Sequence, residues 1–223
     1  MYLIIKRFFD FSIAFTVSLF LFPLLIPIIV GLLFTGEGYV FYKQERVGLN
    51  KKKFKIYKFA TMLKDSPNLL GGIITTTNDP RITPMGSFLR KSKINELPQL
   101  FNIIIGQMSF IGPRPVMQKS FDSYPKSVKK VIFNIKPGLT GIGSIIFRDE
   151  EELISVVKNS GGDTWKYYQE KIYPFKGEIE IWYQNHRSLF LDFKLILITA
   201  WVIFFPKSKI YEKLLKDLPK RNF

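Results

Sequence analysis

Four short segments of this 223-residue chain combine basic side chains with a nearby carboxylate, and they are the first candidates for chemistry. They are residues 6–10 (Lys-Arg-Phe-Phe-Asp), Lys58, residues 90–96 and residues 112–115 (Gly-Pro-Arg-Pro). Arg114 is held between two prolines, and an arginine fork on a stiff backbone suits bidentate contact with phosphate. Together the segments favour a phosphate site, although a surface arginine in a rigid turn would also explain Arg114 alone.

Glu96 belongs to the third segment and comes directly before Leu97-Pro98. Apolar residues at helical spacing predict a helix over residues 97–105 that Gly106 ends. A carboxylate at the start of a helix is stabilised by the helix dipole, so Glu96 is either a helix cap or a reacting group. The single histidine, His186, has no spaced partner, and we expect a satisfied or solvated side chain there.

Composition limits the partners of the chain. Its 33 Lys and Arg against 18 Asp and Glu give a net charge of +15, which favours anionic partners. The absence of cysteine excludes disulfides, a thiolate nucleophile and sulfur-ligated zinc, and one histidine excludes a multi-histidine metal site. No charged residue occurs in residues 11–36, and basic residues follow directly. Charge beside so apolar a segment indicates a membrane surface and argues against nucleic acid as a partner.

The apolar segment, residues 11–34, is long enough to cross a hydrocarbon core of about 30 Å. Pro23 and Pro27 divide it into halves that each cover only about half of that thickness. Basic residues flank both ends, and the positive-inside tendency places both flanks on the same side of the membrane. We therefore expect a re-entrant helix kinked near Pro23, with a straight span as the alternative. A signal peptide is disfavoured because no small-residue cleavage pattern follows.

The rest of the chain predicts a small globular domain and a second membrane face. Short strands are expected at residues 39–42 and 54–59, and residues 66–84 predict a loop, either a plain surface loop or an active-site flap. The acidic run at residues 149–152 predicts a solvated face. Residues 189–205 are apolar, rich in aromatics and followed by a basic tail, which predicts an interfacial helix, with a buried core helix as the alternative.

The predicted fold class is therefore α/β (α+β) and membrane-associated. Residues 1–38 form the re-entrant anchor, residues 39–187 the cytoplasmic catalytic domain, and residues 188–223 an amphipathic interfacial helix with a basic C-terminal tail. Oligomeric state is not legible from these patterns.

The candidate segments, taken in order, resemble the monotopic phosphoglycosyl transferases, the bacterial sugar transferases that begin glycan assembly on a lipid carrier. The resemblance runs from residue 6 to about residue 205. Beyond the segments already named, it rests on residues 44–49 (Gln-Glu-Arg-Val-Gly-Leu), 55–59 (Lys-Ile-Tyr-Lys-Phe), 79–83 (Asp-Pro-Arg-Ile-Thr) and 136–141 (Lys-Pro-Gly-Leu-Thr-Gly). A single Pro-Arg-Pro would be weak evidence, but this many pieces in order are highly specific.

The resemblance implies transfer of sugar 1-phosphate from a UDP-sugar to polyprenol (undecaprenyl) phosphate, with Mg²⁺ helping to neutralise the diphosphate. It implies a location on the cytoplasmic face of the bacterial inner membrane, among membrane lipids, and a role in capsule, O-antigen or exopolysaccharide synthesis. It also implies a re-entrant helix, with Lys6 and Arg7 at the interface and Asp10 paired to one of them. The family kink falls at Ser-Pro, whereas this chain has Phe22-Pro23.

The family mechanism uses an Asp-Glu pair in which the Asp attacks phosphorus, and that pair corresponds to Asn95-Glu96 in this chain. A neutral amide offers no anionic oxygen for attack and is a weaker Mg²⁺ ligand than a carboxylate. Three explanations stay open: a natural variant in which Glu96 supplies the nucleophile or supports direct transfer, a trapping mutant, or a catalytically impaired relative that binds nucleotide sugar or lipid.

The remaining family positions predict the substrate contacts. Arg90 and Arg114 match phosphate-contacting positions, Lys58 faces the substrate phosphates, and Arg148 is expected near the nucleotide. Glu180 occupies a carboxylate position in the later helical part, and Glu96 is the expected metal ligand. Ala60 replaces a basic residue usual in the family, which marks a divergent site.

Overall fold

A computed structural model of the chain describes residues 1–66, 68–69, 75 and 79–223. It has a mixed α and β architecture, which confirms the predicted fold class in its coarse form. Part of the predicted loop at residues 66–84 lies outside the described residues, so the choice between surface loop and flap stays a prediction. At the end of that segment, Asp79 and Arg81 form a buried ion pair with an oxygen–nitrogen distance of 2.6 Å.

Helix α1 (Tyr2–Phe34) contains Pro23 and Pro27 and is continuous through both. Among the described residues it is the one helix that is long and apolar enough to cross a membrane. Its most apolar window has a mean hydropathy of 2.7 and is only 6% buried, unlike the core helix of a soluble protein. Exposed apolar surface on this scale is characteristic of contact with lipid. The helix is therefore a membrane-associated element.

The basic residues near the start of α1 bind the globular part of the chain. Arg7 donates to the carbonyl oxygens of Ile103 and Ile104 at 2.6 and 2.7 Å. Lys6 forms an ion pair of 2.7 Å with Asp192. The Asp10 carboxylate accepts a hydrogen bond of 3.0 Å from the backbone N–H of Phe110. The expectation that Asp10 pairs with Lys6 or Arg7 is wrong, because both basic residues reach acceptors on other elements.

The far end of α1 also contacts the globular part. Leu32 is buried in one cluster with Phe59 and Leu89. Gly31 lies against Met85, since a Cβ added to Gly31 would come within 2.8 Å of the Met85 methyl carbon. Both ends of α1 are thus attached to one globular body.

The chain forms two small sheets. Strands β1 (Phe41–Val47) and β2 (Lys53–Phe59) are antiparallel, with Phe41 opposite Phe59. Strands β3 (Ser109–Ile111) and β4 (Gly138–Thr140) are parallel. The two strands predicted from sequence are confirmed in place, although β1 begins later and extends to Val47. Gly112 follows β3 so tightly against the segment before β4 that a Cβ would lie 2.4 Å from the Lys136 carbonyl oxygen.

Ten further α-helices follow α1 in the described chain: α2 (Pro84–Lys91), α3 (Gln99–Ile104), α4 (Gln118–Ser123), α5 (Lys126–Ile132), α6 (Ile142–Ile146), α7 (Glu150–Asn159), α8 (Thr164–Tyr167), α9 (Tyr173–His186), α10 (Leu189–Phe204) and α11 (Ile210–Leu214). A π-helical segment, Tyr168–Ile172, joins α8 to α9. The largest core cluster joins α6, α9 and α10. His186 stacks on Trp182, and its ring nitrogen is 2.8 Å from the Trp182 carbonyl oxygen, which confirms a satisfied histidine.

Helix α10 has two apolar faces. One face contributes Leu195, Ile198 and Val202 to the core, as the alternative prediction required. The opposite face exposes large apolar side chains, namely Phe190, Phe193, Leu197, Trp201 and Phe204, as an interfacial helix would. The C-terminal tail is not purely a basic surface, because Leu215 is buried in the core cluster and Phe223 packs against it.

Candidate active site

One cavity of about 630 Å³ brings together the substrate-site residues predicted from sequence, which come from segments far apart in the chain. It is lined by Lys58, Arg90, Asn95, Glu96, Arg114, Arg148 and Glu180. The placement agrees with the predicted site, while the role of each residue stays a prediction.

Local chain geometry sets the position of Asn95 and Glu96. Helix α2 begins with Thr83 as its cap, whose hydroxyl accepts a 3.0 Å hydrogen bond from the N–H of Gly86. Lys93, with φ 61°, then turns the chain into a short 3₁₀ turn, Ile94–Glu96. Helix α3 starts at Gln99, and the turn after it uses Gly106 at φ 84°. Glu96 therefore precedes the helix as predicted, but it lies in a turn of its own and does not cap α3, whose cap position is Pro98.

The Glu96 carboxylate is the centre of a compact ion cluster. Its Oε1 accepts from Lys58 Nζ at 3.0 Å and from the Arg114 guanidinium at 3.1 Å. Lys58 and Glu96 are largely buried, while Arg114 is about half exposed. Two cations thus share one carboxylate oxygen, and Arg114 keeps much of its guanidinium accessible to a ligand.

Electrostatics keep Glu96 ionised. Burial by itself would raise the pKa of the carboxyl group, but the charges of Lys58 and Arg114 outweigh burial and hold the pKa well below its usual range. Burial, with help from Arg114, lowers the pKa of the Lys58 ammonium to about 8 against the opposing charge of Glu96. At neutral pH the cluster contains an anionic glutamate.

Asn95 lies beside Glu96 and is 7% exposed. Within the described chain, its side-chain oxygen Oδ1 is buried without a hydrogen-bond partner. An unpaired buried carbonyl oxygen costs about 1–3 kcal/mol, so native proteins usually satisfy such atoms. In a cavity this size, a bound ligand or ion is a natural partner for that oxygen.

Helix α7 supplies a carboxylate wall that the sequence did not reveal. Glu151 forms an ion pair of 2.7 Å with Arg90, and Glu150 accepts from Lys176 at 2.8 and 2.7 Å. The predicted solvated face at residues 149–152 is confirmed for Asp149, Glu151 and Glu152, which are exposed. Glu150 is partly buried, and both Glu150 and Glu151 pair with cations of the cavity. Over the described chain, Arg148 has no carboxylate within 4 Å, and burial lowers its pKa.

The remaining wall is aromatic. Trp165, Tyr168 and Tyr173 line the cavity together with Glu180 from α9. These aromatic residues were not identified from the sequence, and the density of Trp and Tyr over residues 165–183 was the available signal. Glu150 and Lys176 gave no local signal, because their pairing depends on how α7 packs against α9.

The arrangement can bind a molecule that has an anionic part and an uncharged part. Lys58, Arg114 and Arg148 provide positive charge, and the aromatic wall provides apolar surface. No group of three or more His, Asp and Glu side chains that could hold a metal occurs among the residues the structure describes.

A model of the bacterial sugar transferase family matches residues 1–206. The chain belongs to this family. The match covers the region, residues 6–205, on which the sequence resemblance rests, so the predicted family is confirmed.

Three curated relatives illustrate the similarity. The UDP-galactose-lipid carrier transferase of Erwinia amylovora is 31% identical in an alignment of 213 residues that covers 89% of this chain and 40% of the relative. The UDP-glucose:undecaprenyl-phosphate glucose-1-phosphate transferase of Klebsiella pneumoniae is 30% identical in an alignment of 210 residues that covers 92% of this chain and 41% of the relative. The exopolysaccharide production protein ExoY of Rhizobium meliloti is 35% identical in an alignment of 191 residues that covers 77% of this chain and 82% of the relative. The chain thus spans about two fifths of the first two relatives.

Proposed function

We propose that the protein is a transferase that moves sugar 1-phosphate from a UDP-sugar to polyprenol phosphate, releasing UMP. The observation that carries the proposal is the ionised Glu96 held by Lys58 and Arg114 in a cavity lined by further arginines. Phosphoryl transfer depends mostly on positioning and on charge stabilisation, which such a cavity supplies. Relatives named as UDP-sugar and undecaprenyl-phosphate transferases support the choice of substrates.

Glu96 is the nucleophile in this proposal. One of its oxygens forms a bond to the phosphorus that carries the sugar, and the bond from that phosphorus to the UMP oxygen breaks. An oxygen of polyprenol phosphate then attacks the same phosphorus and releases Glu96. No proton transfer is required, because the attacking groups are anionic and UMP leaves as an anion. Asn95 is neutral and in this proposal orients the phosphoryl group through its amide.

In this proposal Lys58 and Arg114 bind the substrate phosphates as well as Glu96. Both donate to Oε1 of Glu96 before substrate binds, and Arg114 is about half exposed. A diphosphate entering the cavity offers these cations new acceptors. Their shift from Glu96 to the phosphates would free the carboxylate to react while the phosphate charge is neutralised.

Mg²⁺ is part of the proposal. Mg²⁺ prefers oxygen ligands and is commonly held by one or two carboxylates together with substrate phosphates. The carboxylate of Glu96 and the unpaired Oδ1 of Asn95 fit that donor set and would hold the ion. When bound, it supplies neutralisation of the diphosphate.

The proposed membrane arrangement is a re-entrant α1 at the cytoplasmic face of a bacterial inner membrane. The attachment of both ends of α1 to one globular body supports it, because that body lies on one side of a bilayer. The exposed apolar face of α10 would lie at the interface, as would the headgroup phosphate of the lipid substrate. The site is then at the depth of that phosphate.

The test is UMP release by the purified full chain in detergent with a panel of UDP-sugars, polyprenol phosphate and Mg²⁺. Release that depends on the lipid phosphate is expected. If UMP release with polyprenol phosphate does not exceed release in the lipid-free control for any UDP-sugar, the proposed enzyme activity is rejected. That result would favour a protein that binds nucleotide sugar without turnover.

A further inference from the structure

Glu180 is the one carboxylate of the cavity that lacks a cationic partner within the described chain. It is 4% exposed, and its Oε2 is buried with no hydrogen-bond partner there. Its other oxygen lies against Gly143, where a Cβ would come within 2.7 Å of Oε1. The side chain is therefore held on one side by the backbone of α6, and its other oxygen has no partner among the described residues of a cavity that Glu180 lines.

The charged and titratable groups around Glu180 do not form an ion pair with it. Lys176, one turn earlier in α9, is committed to both carboxylate oxygens of Glu150. Tyr124 faces Glu180 as a buried neutral phenol. Burial raises the pKa of Glu180 to about 8, while the backbone N–H of Gly143 and the charge of Lys176 only partly oppose it. At neutral pH the side chain is mainly a carboxylic acid, so Oε2 is available as a hydrogen-bond donor.

The surroundings indicate what such a donor would meet. Glu180 lines the cavity together with Trp165, Tyr168 and Tyr173, whereas Lys58 and Arg114 are bound to Glu96. A phosphate would be attracted to the cations and would gain little from a neutral acid that lines the same cavity. An uncharged ring with carbonyl or hydroxyl oxygens suits this surface.

We propose that Glu180, in its neutral form, donates a hydrogen bond to an uncharged acceptor oxygen of the nucleotide sugar and thereby helps to select it. The proposal rests on the proposed function for the identity of the ligand. It assigns Glu180 to the uncharged part of the substrate and not to the diphosphate. The acceptor is an oxygen of the nucleobase or of the sugar, which share this chemistry.

The test is equilibrium binding of UMP and of a panel of UDP-sugars to the full chain at pH 7 and pH 9. Three proteins are compared: the unchanged chain, Glu180→Gln and Glu180→Leu. Glutamine keeps an N–H donor and does not titrate, so the ligand affinity of Glu180→Gln at pH 7 should stay within about threefold of that of the unchanged chain. The affinity of Glu180→Leu should fall by about fivefold or more. A weaker UMP complex for leucine assigns the acceptor to the nucleobase, and a loss confined to UDP-sugars assigns it to the sugar.

The pH arm separates a donor from a structural role. Raising the pH through about 8 ionises Glu180 and removes its donor, so the unchanged chain should lose more affinity between pH 7 and pH 9 than Glu180→Gln. Lys58 also titrates near pH 8, but it is present in both proteins and cancels in the comparison. Unfolding temperatures of all three proteins check that the fold is retained.

Equal affinity of the unchanged chain and Glu180→Leu for every ligand, in folded proteins, would overturn the proposal. So would an identical pH dependence of the unchanged chain and Glu180→Gln. These outcomes are independent of turnover. Failure of the proposed function appears as nucleotide-sugar binding without UMP release, and failure of the Glu180 proposal appears as release with unaltered affinity in Glu180→Leu.

Discussion

Arg90 in α2 donates to the carboxylate of Glu151 in α7 at 2.7 Å, and both residues line the cavity. A predicted phosphate-binding arginine is therefore held by a carboxylate of the chain itself. Glu151 is more than half exposed, so the pair can open toward solvent at small cost. If Arg90 binds a substrate phosphate, that phosphate takes the place of Glu151.

We expect Glu151→Gln to tighten UMP binding by about two- to fivefold, since it removes an exposed ion pair that competes for Arg90. Calorimetric titration of the full chain with UMP measures the change. Glu152→Gln is the matched control, because it removes the same charge from the next residue, which is exposed and does not line the cavity. Equal tightening in both variants would mean a general charge effect and not release of Arg90.

Glu96→Gln should reduce sugar-phosphate transfer by about a thousandfold or more, because the amide cannot form the covalent intermediate. Asn95→Ala should retain measurable transfer. Radiolabelled UDP-sugar in a lipid transfer assay gives both rates. Equal loss from the two substitutions would contradict the assignment of the nucleophile to Glu96.

Asn95→Asp is the converse test of the same assignment. With Glu96 as the nucleophile, a second carboxylate should change the transfer rate by less than about tenfold, since the reacting group is unaltered. A much larger gain would assign attack on phosphorus to residue 95 and would mean that the asparagine holds the enzyme in a trapped or lapsed state.

Binding of pyrophosphate should weaken as the pH rises through about 8, because Lys58 loses its positive charge over that interval. Pyrophosphate has no nucleobase or sugar, so Glu180 should not contribute. Lys58→Arg keeps its charge throughout the range. Between pH 7 and pH 9, the unchanged chain should lose about fivefold more affinity than Lys58→Arg. Parallel pH profiles for the two proteins would argue against Lys58 as the titrating phosphate ligand.

Asp192 joins the start of α1 to the core of the domain. Its carboxylate accepts from Lys6 at 2.7 Å, from the Tyr2 hydroxyl at 2.7 Å and from the Tyr183 hydroxyl at 2.6 Å. Asp192→Ala should lower the free energy of unfolding by about 3 kcal/mol, because it leaves Lys6 buried without its counter-ion. Tyr2→Phe, which removes one hydrogen bond, should cost only about 1 kcal/mol. Denaturant unfolding in detergent compares them, and an equal cost for the two variants would exclude a special role for the ion pair.

The proposed re-entrant anchor predicts the accessibility of both ends of α1. The chain has no cysteine, so single cysteines at Leu3 and at Glu37 can be labelled without background. A membrane-impermeant maleimide should label both in inside-out vesicles and neither in intact spheroplasts. Labelling of one end from each side of the membrane would instead establish a straight span.

Much of the fold was predictable because it depends on local composition. The apolar run of α1, the strands β1 and β2 and the glycine that follows α3 were each anticipated from patterns within a few residues. The boundaries of α3 were less accurate, because Lys93 adopts a left-handed conformation and gives Asn95 and Glu96 a separate turn. The double character of α10 was not resolved, since a helix that is apolar on all sides does not indicate which side meets the core.

The sequence by itself predicted which residues could react and determined that the chain has a long apolar segment suited to a membrane, because side-chain chemistry and an apolar run are local properties. The family motifs also selected the residues that line the cavity. Only the tertiary structure decided their charge states and partners. Lys58 and Glu96 are 38 residues apart in the chain and 3.0 Å apart in space, and Glu151 neutralises Arg90 from 61 residues away. Glu180 is uncharged at neutral pH because folding removes it from water without pairing it with a cation. The spacing of residues along the chain does not reveal such an effect.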